Sequence, residues 1–326
     1  MKKGIIFKAL IMIMAVAMFT GCSAGTPQPQ SQEKEFVIGI DQLVEHPALD
    51  DAREGFIQGL EELGVKVKIV YQNAQGDIPN SLAIAQKFVS DKVDLIYAIA
   101  TPAAQSAKQA TSEIPVLFSA VTDPVESELV DSVDKPGGNV TGTSDASPME
   151  EQLSMFKKLD PSIEKVGILF NTSESNSEIQ VAQAKDLASK LGLEIVEVGI
   201  SNINDIPQAM DSMIKNIDGF YAITDNMVSS AIAIVADKLN SNKVISVGAE
   251  GALVDGGLLI SDGISYFELG RQTAQMAKSI LVDGKSPSDI PSEKAKGTVA
   301  VFNQATLELL GIDPSNEVFA GAEAVN

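Results

Sequence analysis

Two apolar periods alternate along this chain. Short runs without a helical repeat are followed by longer stretches whose apolar positions recur every three or four residues, which is the pattern of buried parallel strands and amphipathic helices. The stretch Val93–Val125 shows it most plainly. Asp94–Ala100 predicts a strand, after which Thr101 as N-cap and Pro102 at the first helical position start a helix. Pro115–Ala120 predicts the next strand. Thr122-Asp123-Pro124 then repeats the device, with Glu126 as capping-box partner if Asp123 is the cap. Either start alone is an ordinary helix cap. Together they predict two helix N-termini on one sheet edge, a rim of N–H donors and partial positive charge suited to a carboxylate.

The same alternation runs through the rest. Phe36–Ile40 predicts a strand, Gln42–His46 a loop, and Pro47 to about Leu63 a helix closed by Gly64. Val65–Tyr71 predicts a strand and Ile78–Ser90 a helix, giving short-looped β-α units and hence a parallel, doubly wound sheet. Lys135–Ser147, rich in Gly, Ser and Thr, reads as a crossover out of this unit. Ser147-Pro148-Met149-Glu150 reads as a capping box opening a helix to about Leu159. The pattern then restarts. Strands are predicted at Lys165–Phe170, Leu193–Val198, Gly219–Thr224, Val244–Val247 and Gly256–Ser261, and helices at Glu178–Leu191, Ile206–Asn216, Met227–Asn240 and Tyr266–Val282. A strand at Gly297–Phe302 and a helix at Gln304–Leu310 complete the chain. Two similar units at an offset of about 130 residues predict duplicated lobes.

Composition narrows the function. A chain of 326 residues, 44% hydrophobic, can fill two cores, and a formal charge of -20 opposes binding to nucleic acid phosphates. One Cys and one His exclude a structural disulfide within the chain and a Cys/His metal site. The N-terminus changes the picture more. Met1-Lys2-Lys3 is basic, and Ile5–Thr20 is apolar except for Lys8, as in a secretory signal. Its end, Phe19-Thr20-Gly21-Cys22, resembles the bacterial lipobox, and the sole Cys stands at the expected cleavage point. We expect a signal peptide over 1–21 and a lipidated flexible tether over 22–35, polar and rich in Pro and Gln, with the body held outside the membrane by acyl chains on Cys22.

Enzyme motifs are incomplete. Gly284-Lys285-Ser286 lacks the upstream glycine of a P-loop and follows a helix. Gly142-Thr143-Ser144-Asp145-Ala146 lacks the last glycine of a nucleophile elbow. No GxGxxG follows a strand, and His46 has no nucleophile or acid placed beside it by the sequence. No catalytic residue, cofactor or metal is expected.

A ligand between the lobes would meet the loops after the strands. The first lobe offers Gln42 and His46, Thr101 and Ala103, and Ser119 and Thr122. The second offers Asn171, Ser173, Glu174, Asn176 and Ser177, then Asp225 and Asn226, then Glu250. Hydroxyls and helix starts on one side suit a carboxylate, and acids on the other suit an ammonium, so a zwitterionic amino acid fits. Asp225, after an apolar strand, is the expected ammonium partner; the alternative is that it caps the following helix.

The blocks HPALD (46–50), TPAAQ (101–105), FSAVTDPV (118–125), PGGNVTG (136–142), SD (144–145), NTSESNS (171–177) and DN (225–226) together resemble the substrate-binding lipoproteins of ABC transporters for aromatic amino acids, over about Phe36 to Asn326. The resemblance implies an α/β, type I periplasmic-binding-protein fold of two parallel-sheet lobes joined by hinge crossovers. It returns the Tyr266–Val282 helix to the first lobe, so the lobes become 36–145 plus about 265–295 and 146–264 plus about 296–326. It implies the loops above as the site, with Asp123, Ser144 and Asp145 from its motifs, and delivery of tyrosine, tryptophan or phenylalanine to a membrane permease by a monomeric receptor that closes about its hinge. Phe118, Phe170 and Tyr97 are candidates for stacking on the ligand, with core packing as the alternative. A ligand sensor or surface adhesin on the same fold remains an alternative, because fold does not fix function; a secreted hydrolase is disfavoured by the missing nucleophile–base pair.

Overall fold

The strands most apolar in sequence are those most enclosed. In the computed structural model, which describes residues 34–325, β3 (Leu95–Ile99) and β4 (Val116–Val121) are buried at every position. They lie at the centre of a six-stranded sheet of order β11-β5-β4-β3-β1-β2, parallel throughout, with β1 Phe36–Gln42, β2 Val67–Asn73, β5 Val140–Ser144 and β11 Glu293–Lys294. Helices α1 (Pro47–Glu62), α2 (Ile78–Asp91) and α3 (Thr101–Ala110) join the strands. The predicted signal segment 1–21, Cys22 and most of the tether lie outside the described residues.

The second sheet has the order β13-β12-β10-β9-β8-β6-β7. Its strands are β6 Lys165–Asn171, β7 Glu194–Ile200, β8 Gly219–Ala222, β9 Ile245–Gly248, β10 Ile260–Gly263, β12 Val299–Asn303 and β13 Glu323–Val325. All neighbours are parallel except β10 and β12. One apolar cluster, including Phe156, Ile168, Tyr221 and Val247, packs the sheet against α4 (Met149–Leu159) and α5 (Ser175–Lys190). Another, including Phe220, Met210, Val235 and Leu253, packs it against α6 (Ile206–Met213), α8 (Ile232–Ser241) and α9 (Gly251–Asp255). The remaining helices are α7 (Asn226–Ser230), α10 (Tyr266–Leu281) and α11 (Gln304–Leu310). Three crossovers join the sheets: 145–148, 264–265 and 295–298.

Helix α10 follows a strand of the second sheet yet packs along α1 of the first. A Cβ at Gly55 would collide with the Phe267 carbonyl, and one at Gly270 with the Ala52 carbonyl; one at Gly59 would come 2.7 Å from Ala274 Cβ. Backbones this close need glycine on both helices. Thr273 on α10 also meets Thr143 of β5, oxygen to oxygen, at 2.8 Å.

Several local expectations are corrected. Lys135–Ser147 holds β5 rather than forming only a crossover. The N-cap of α3 is Ala100, with Thr101 already helical. No helix follows β4: Asp123 Oδ1 accepts from the N–H groups of Val125 and Glu126, both at 2.9 Å, but the chain forms turns. Ser147 does not build a capping box, since α4 starts after Pro148 without a side-chain cap. The predicted helix 227–240 is two helices, broken at Ala231.

Candidate functional site

The carboxyl ends of the two sheets face each other across a narrow gap. His46, Leu49, Ala120, Thr122, Asp145 and Tyr266 line one wall, and Asn176, Thr224, Asn226, Ser229 and Glu250 the other. The space between them holds little more than a water molecule. Direct contacts tie the walls together: His46 Nε2 lies 3.3 Å from Asn226 Oδ1, Thr122 Oγ1 lies 3.3 Å from Thr224 Oγ1, and Gln105 Nε2 donates to Ser175 Oγ at 3.2 Å. The lobes are therefore shut.

The first wall is shaped by strained backbone. Ala100, at the switch from β3 to α3, has φ 86°, and Ala120 in β4 has φ 57°. The pairing of β4 with β5 slips between Phe118 and Val121. Left-handed alanines cost about 1–3 kcal/mol each and cluster where a loop must be aimed. Nothing in the residue types announces them.

Electrostatically the gap is acidic. Asp145 lies in the first crossover, 3% exposed, and its Oδ2 accepts from Tyr266 Oη at 2.7 Å. Its Oδ1 has no hydrogen-bond partner among the described residues, and neither has Asn176 Oδ1. Glu250, at the N-cap of α9, is also 3% exposed. Burial, then the charge of Asp145, pushes the Glu250 carboxyl up to about 8. Burial likewise raises Asp145. No lysine or arginine is among the described residues lining the gap. His46 offers no compensation, because burial lowers its imidazole to about 4 and keeps it neutral.

The remaining predicted residues divide by what holds them. Asp225 is fully buried, and its carboxylate is taken up internally: Oδ2 accepts from Asn171 N at 2.6 Å and Ser177 Oγ at 2.7 Å, and Oδ1 from Val228 N at 2.9 Å. It caps α7, the alternative role the sequence left open, and it is not among the residues lining the gap, where the acids are Asp145 and Glu250. Glu174 accepts from the side-chain amides of Asn171 and Asn226, and its carboxyl is raised by burial and by Asp225. Gln42 is turned away into a cluster where its Oε1 accepts from Arg53 at 2.6 Å. Thr101, Ala103 and Ser119 are buried in the first lobe and are not among the gap-lining residues, although the Thr101 and Ser119 hydroxyls have no hydrogen-bond partner among the described residues. Ser144 Oγ donates to Thr122 O at 2.9 Å and so shapes the first crossover. Asp123 and Ser144 line a neighbouring cavity, and Ser173 is exposed.

Of the stacking candidates, Phe118 and Tyr97 are fully buried, Tyr97 against Phe56 with centroids 3.9 Å apart, and Phe170 packs on the second core. The ring that reaches the gap is Tyr266, which the sequence marked only as a helix start. Thr224 was missed as well; Gln180 Oε1 fixes it, accepting from its N–H at 3.1 Å and its hydroxyl at 3.0 Å.

These features have close counterparts. Residues 37–326 match the family described as ABC transporter substrate binding protein. The chain is 45% identical over 309 residues to a tyrosine-binding protein of Clostridioides difficile (strain R20291), covering 91% of this chain and 89% of that one. Among solved structures, a domain from Streptococcus pneumonia in complex with L-Trp is 34% identical with TM-score 0.86, covering 90% of this chain and 100% of that one. A ligand-free, open substrate-binding protein with adhesive properties from Clostridium difficile is 44% identical with TM-score 0.68, covering 89% and 99%. The chain belongs to the substrate-binding proteins of ABC transporters, extracytoplasmic binders of a small molecule that work with an ABC permease and are not enzymes.

Proposed function

We propose that this chain is a lipid-anchored receptor of an ABC importer that takes an aromatic amino acid between its lobes and shuts on it. The observation that carries the reading is the pair Asp145 and Glu250, two buried carboxyls in one gap with no cation among the described residues at the gap and one oxygen unpartnered. Buried charge demands compensation, and a ligand ammonium supplies it. The α3 N-terminus, with the unpartnered Thr101 hydroxyl, is the counterpart for the carboxylate. Tyrosine and tryptophan are favoured because the C. difficile relative is a tyrosine-binding protein and the S. pneumonia domain carries L-Trp.

Closure is supported by a contrast between relatives. The open structure shares 44% identity yet superposes at 0.68, whereas the L-Trp complex shares 34% and superposes at 0.86. Sequence distance alone would give the opposite order, which supports a difference in lobe arrangement between the two. Ligand bridging both walls would stabilise the shut state by its differential contacts. The lobes are assigned as 36–145 with 265–295 and 146–264 with 296–326, consistent with β11 in one sheet and β12 in the other. Anchoring rests on Cys22, the sole cysteine, at the end of the apolar N-terminal stretch; the receptor is taken to be a monomer. An adhesin or sensor role is the second reading, favoured by the adhesive properties of the open relative.

The test is a thermal-shift panel of free amino acids. At about 100 times its dissociation constant a ligand stabilises by about 2.7 kcal/mol. Tyrosine, tryptophan or phenylalanine should raise the melting temperature and their N-acetyl derivatives should not. An equal shift from the N-acetyl forms would sink the ammonium assignment. Bound tryptophan would also fluoresce against a chain that contains none.

A further inference from the structure

The gap is the middle of three cavities in series along the lobe interface. On one side a cavity of about 280 Å³ is lined by the loop after β4, the first crossover, α5 and β11, and includes Asp123, Glu126, Glu293 and Lys294. On the other side a chamber of about 260 Å³, open at its mouth, lies among the loops after β1, β2, β6 and β7. It shares Asn226 with the gap.

Both sheets run in the same sense across this interface. Along the first, the order β5, β4, β3, β1, β2 carries in turn Asp145, Ala120 and Thr122, the α3 start, His46 with Leu43 and Val44, and Gly76. Along the second, the order β9, β8, β6, β7 carries Glu250, Thr224, Glu174, and then Asn202 and Ile203. The acids Asp145 and Glu250 thus stand at the β5/β9 end, and the apolar residues Leu43, Val44, Ile203 and Met227 at the β2/β7 end. Ile203 is 43% exposed there, an apolar surface suited to an apolar guest.

We infer that this chamber is the subsite for the ligand's side chain, with Val44, Ile203 and Met227 setting the preference for an aromatic ring. The inference rests on the amino-acid reading above. When the gap, now the size of a water molecule, widens to take an amino acid with its ammonium between Asp145 and Glu250 and its carboxylate towards α3, the side chain is directed towards β2 and β7. The opposite cavity lies beyond the amine and is lined by Asp123, Glu126, Glu293 and Lys294, against the single acid Glu174 in the chamber. The chamber sets the aliphatic and thioether side chains of Leu43, Val44, Ile203 and Met227 beside polar groups such as Asn171, Glu174 and Asn202. A ring is therefore recognised by burial against the former, with sulfur–aromatic contact from Met227, while the polar rim is free to meet a ring substituent.

Calorimetric titration of the full-length protein in detergent with tyrosine, tryptophan and phenylalanine tests this, with alanine measured by displacement of a bound aromatic ligand. Met227→Ala and Val44→Ala should each weaken all three aromatic ligands by about tenfold, the effect of removing a few buried carbons, with alanine unaffected. Val44→Trp, which fills the chamber, should abolish aromatic binding and spare alanine. Ile179→Ala, in the opposite cavity, should change nothing. Aromatic affinities that stay constant in the Met227 and Val44 variants, or fall instead in Ile179→Ala, overturn the subsite while leaving the amino-acid reading intact. A wild-type protein that binds no amino acid overturns that reading and the subsite with it.

Discussion

A carboxyl enclosed away from water beside a second carboxyl keeps its proton until a cation joins it. Glu250 is in that position, pushed up to about 8 from an ordinary 4.5. Since the shut form binds this proton more tightly than the open or unfolded chain does, the stability it confers is present below about 4.5 and is lost as pH rises through about 8. Ligand works in the opposite sense: an ammonium favours the carboxylate, so binding expels the proton. Affinity for an aromatic amino acid should therefore tighten between about pH 6 and pH 8 and then level, and Glu250→Gln should flatten the curve. Titration in two buffers of different ionisation enthalpy reads the proton release directly; a flat wild-type profile would remove Glu250 from the site. Acidic residues after the strands were legible in the sequence, but the division of labour among them was not. Asp225 and Glu250 both follow apolar strands; the structure surrounds one carboxylate with three internal donors and leaves the other facing the gap.

At the scale of elements, cap chemistry and helix formation separate. Asp123 accepts from two N–H groups as its cap signature predicts, yet no helix grows: the chain turns through Glu128 at φ 56° and buries Leu129 and Val130 while leaving Val125 38% and Val133 40% exposed. At β3 the helix does grow, since Ala103, Ala104 and Ala107 have a core to enter. The pairing of α10 with α1 is the element-level fact on which the first lobe depends. Glycines spaced four apart on α1, Gly55 and Gly59, and Gly270 four before Ala274 are visible in sequence, but that these stripes meet is a tertiary fact. Gly270→Val would drive a side chain into the backbone of α1 and should destabilise by at least about 2 kcal/mol, read as a lowered melting temperature in the ligand-free protein. Gly284→Ala, in open space with φ 72°, should cost less.

On the scale of the whole molecule, the sole histidine reports on the lobes. His46 belongs to the first lobe and meets Asn226 of the second; burial lowers its imidazole to about 4 even though the Asn226 hydrogen bond acts to raise it. Opening should restore solvent and return it towards its ordinary 6.5. Because the shut form rejects the imidazole proton, acid below about 6.5 should open the lobes and ligand should oppose this. NMR titration of the single imidazole should give a value between about 4 and 6.5 without ligand, as shut and open forms exchange, and a lower one with it. The same value in both states would mean that His46 does not sense closure.

The alternation of apolar periods determined by itself that two parallel α/β lobes form, because burying a strand on both faces and a helix on one leaves a periodic trace in residue type. It also supplied His46, Thr122, Asn176, Asn226 and Glu250 at the gap, since loops after parallel strands converge on a common crevice. What only the tertiary structure decided is which polar groups are satisfied from within and which face the partner lobe. That depends on contacts between residues far apart in the chain, such as Asp145 with Tyr266 and His46 with Asn226. It depends also on strained alanines at 100 and 120, whose backbone angles are imposed by the surrounding sheet.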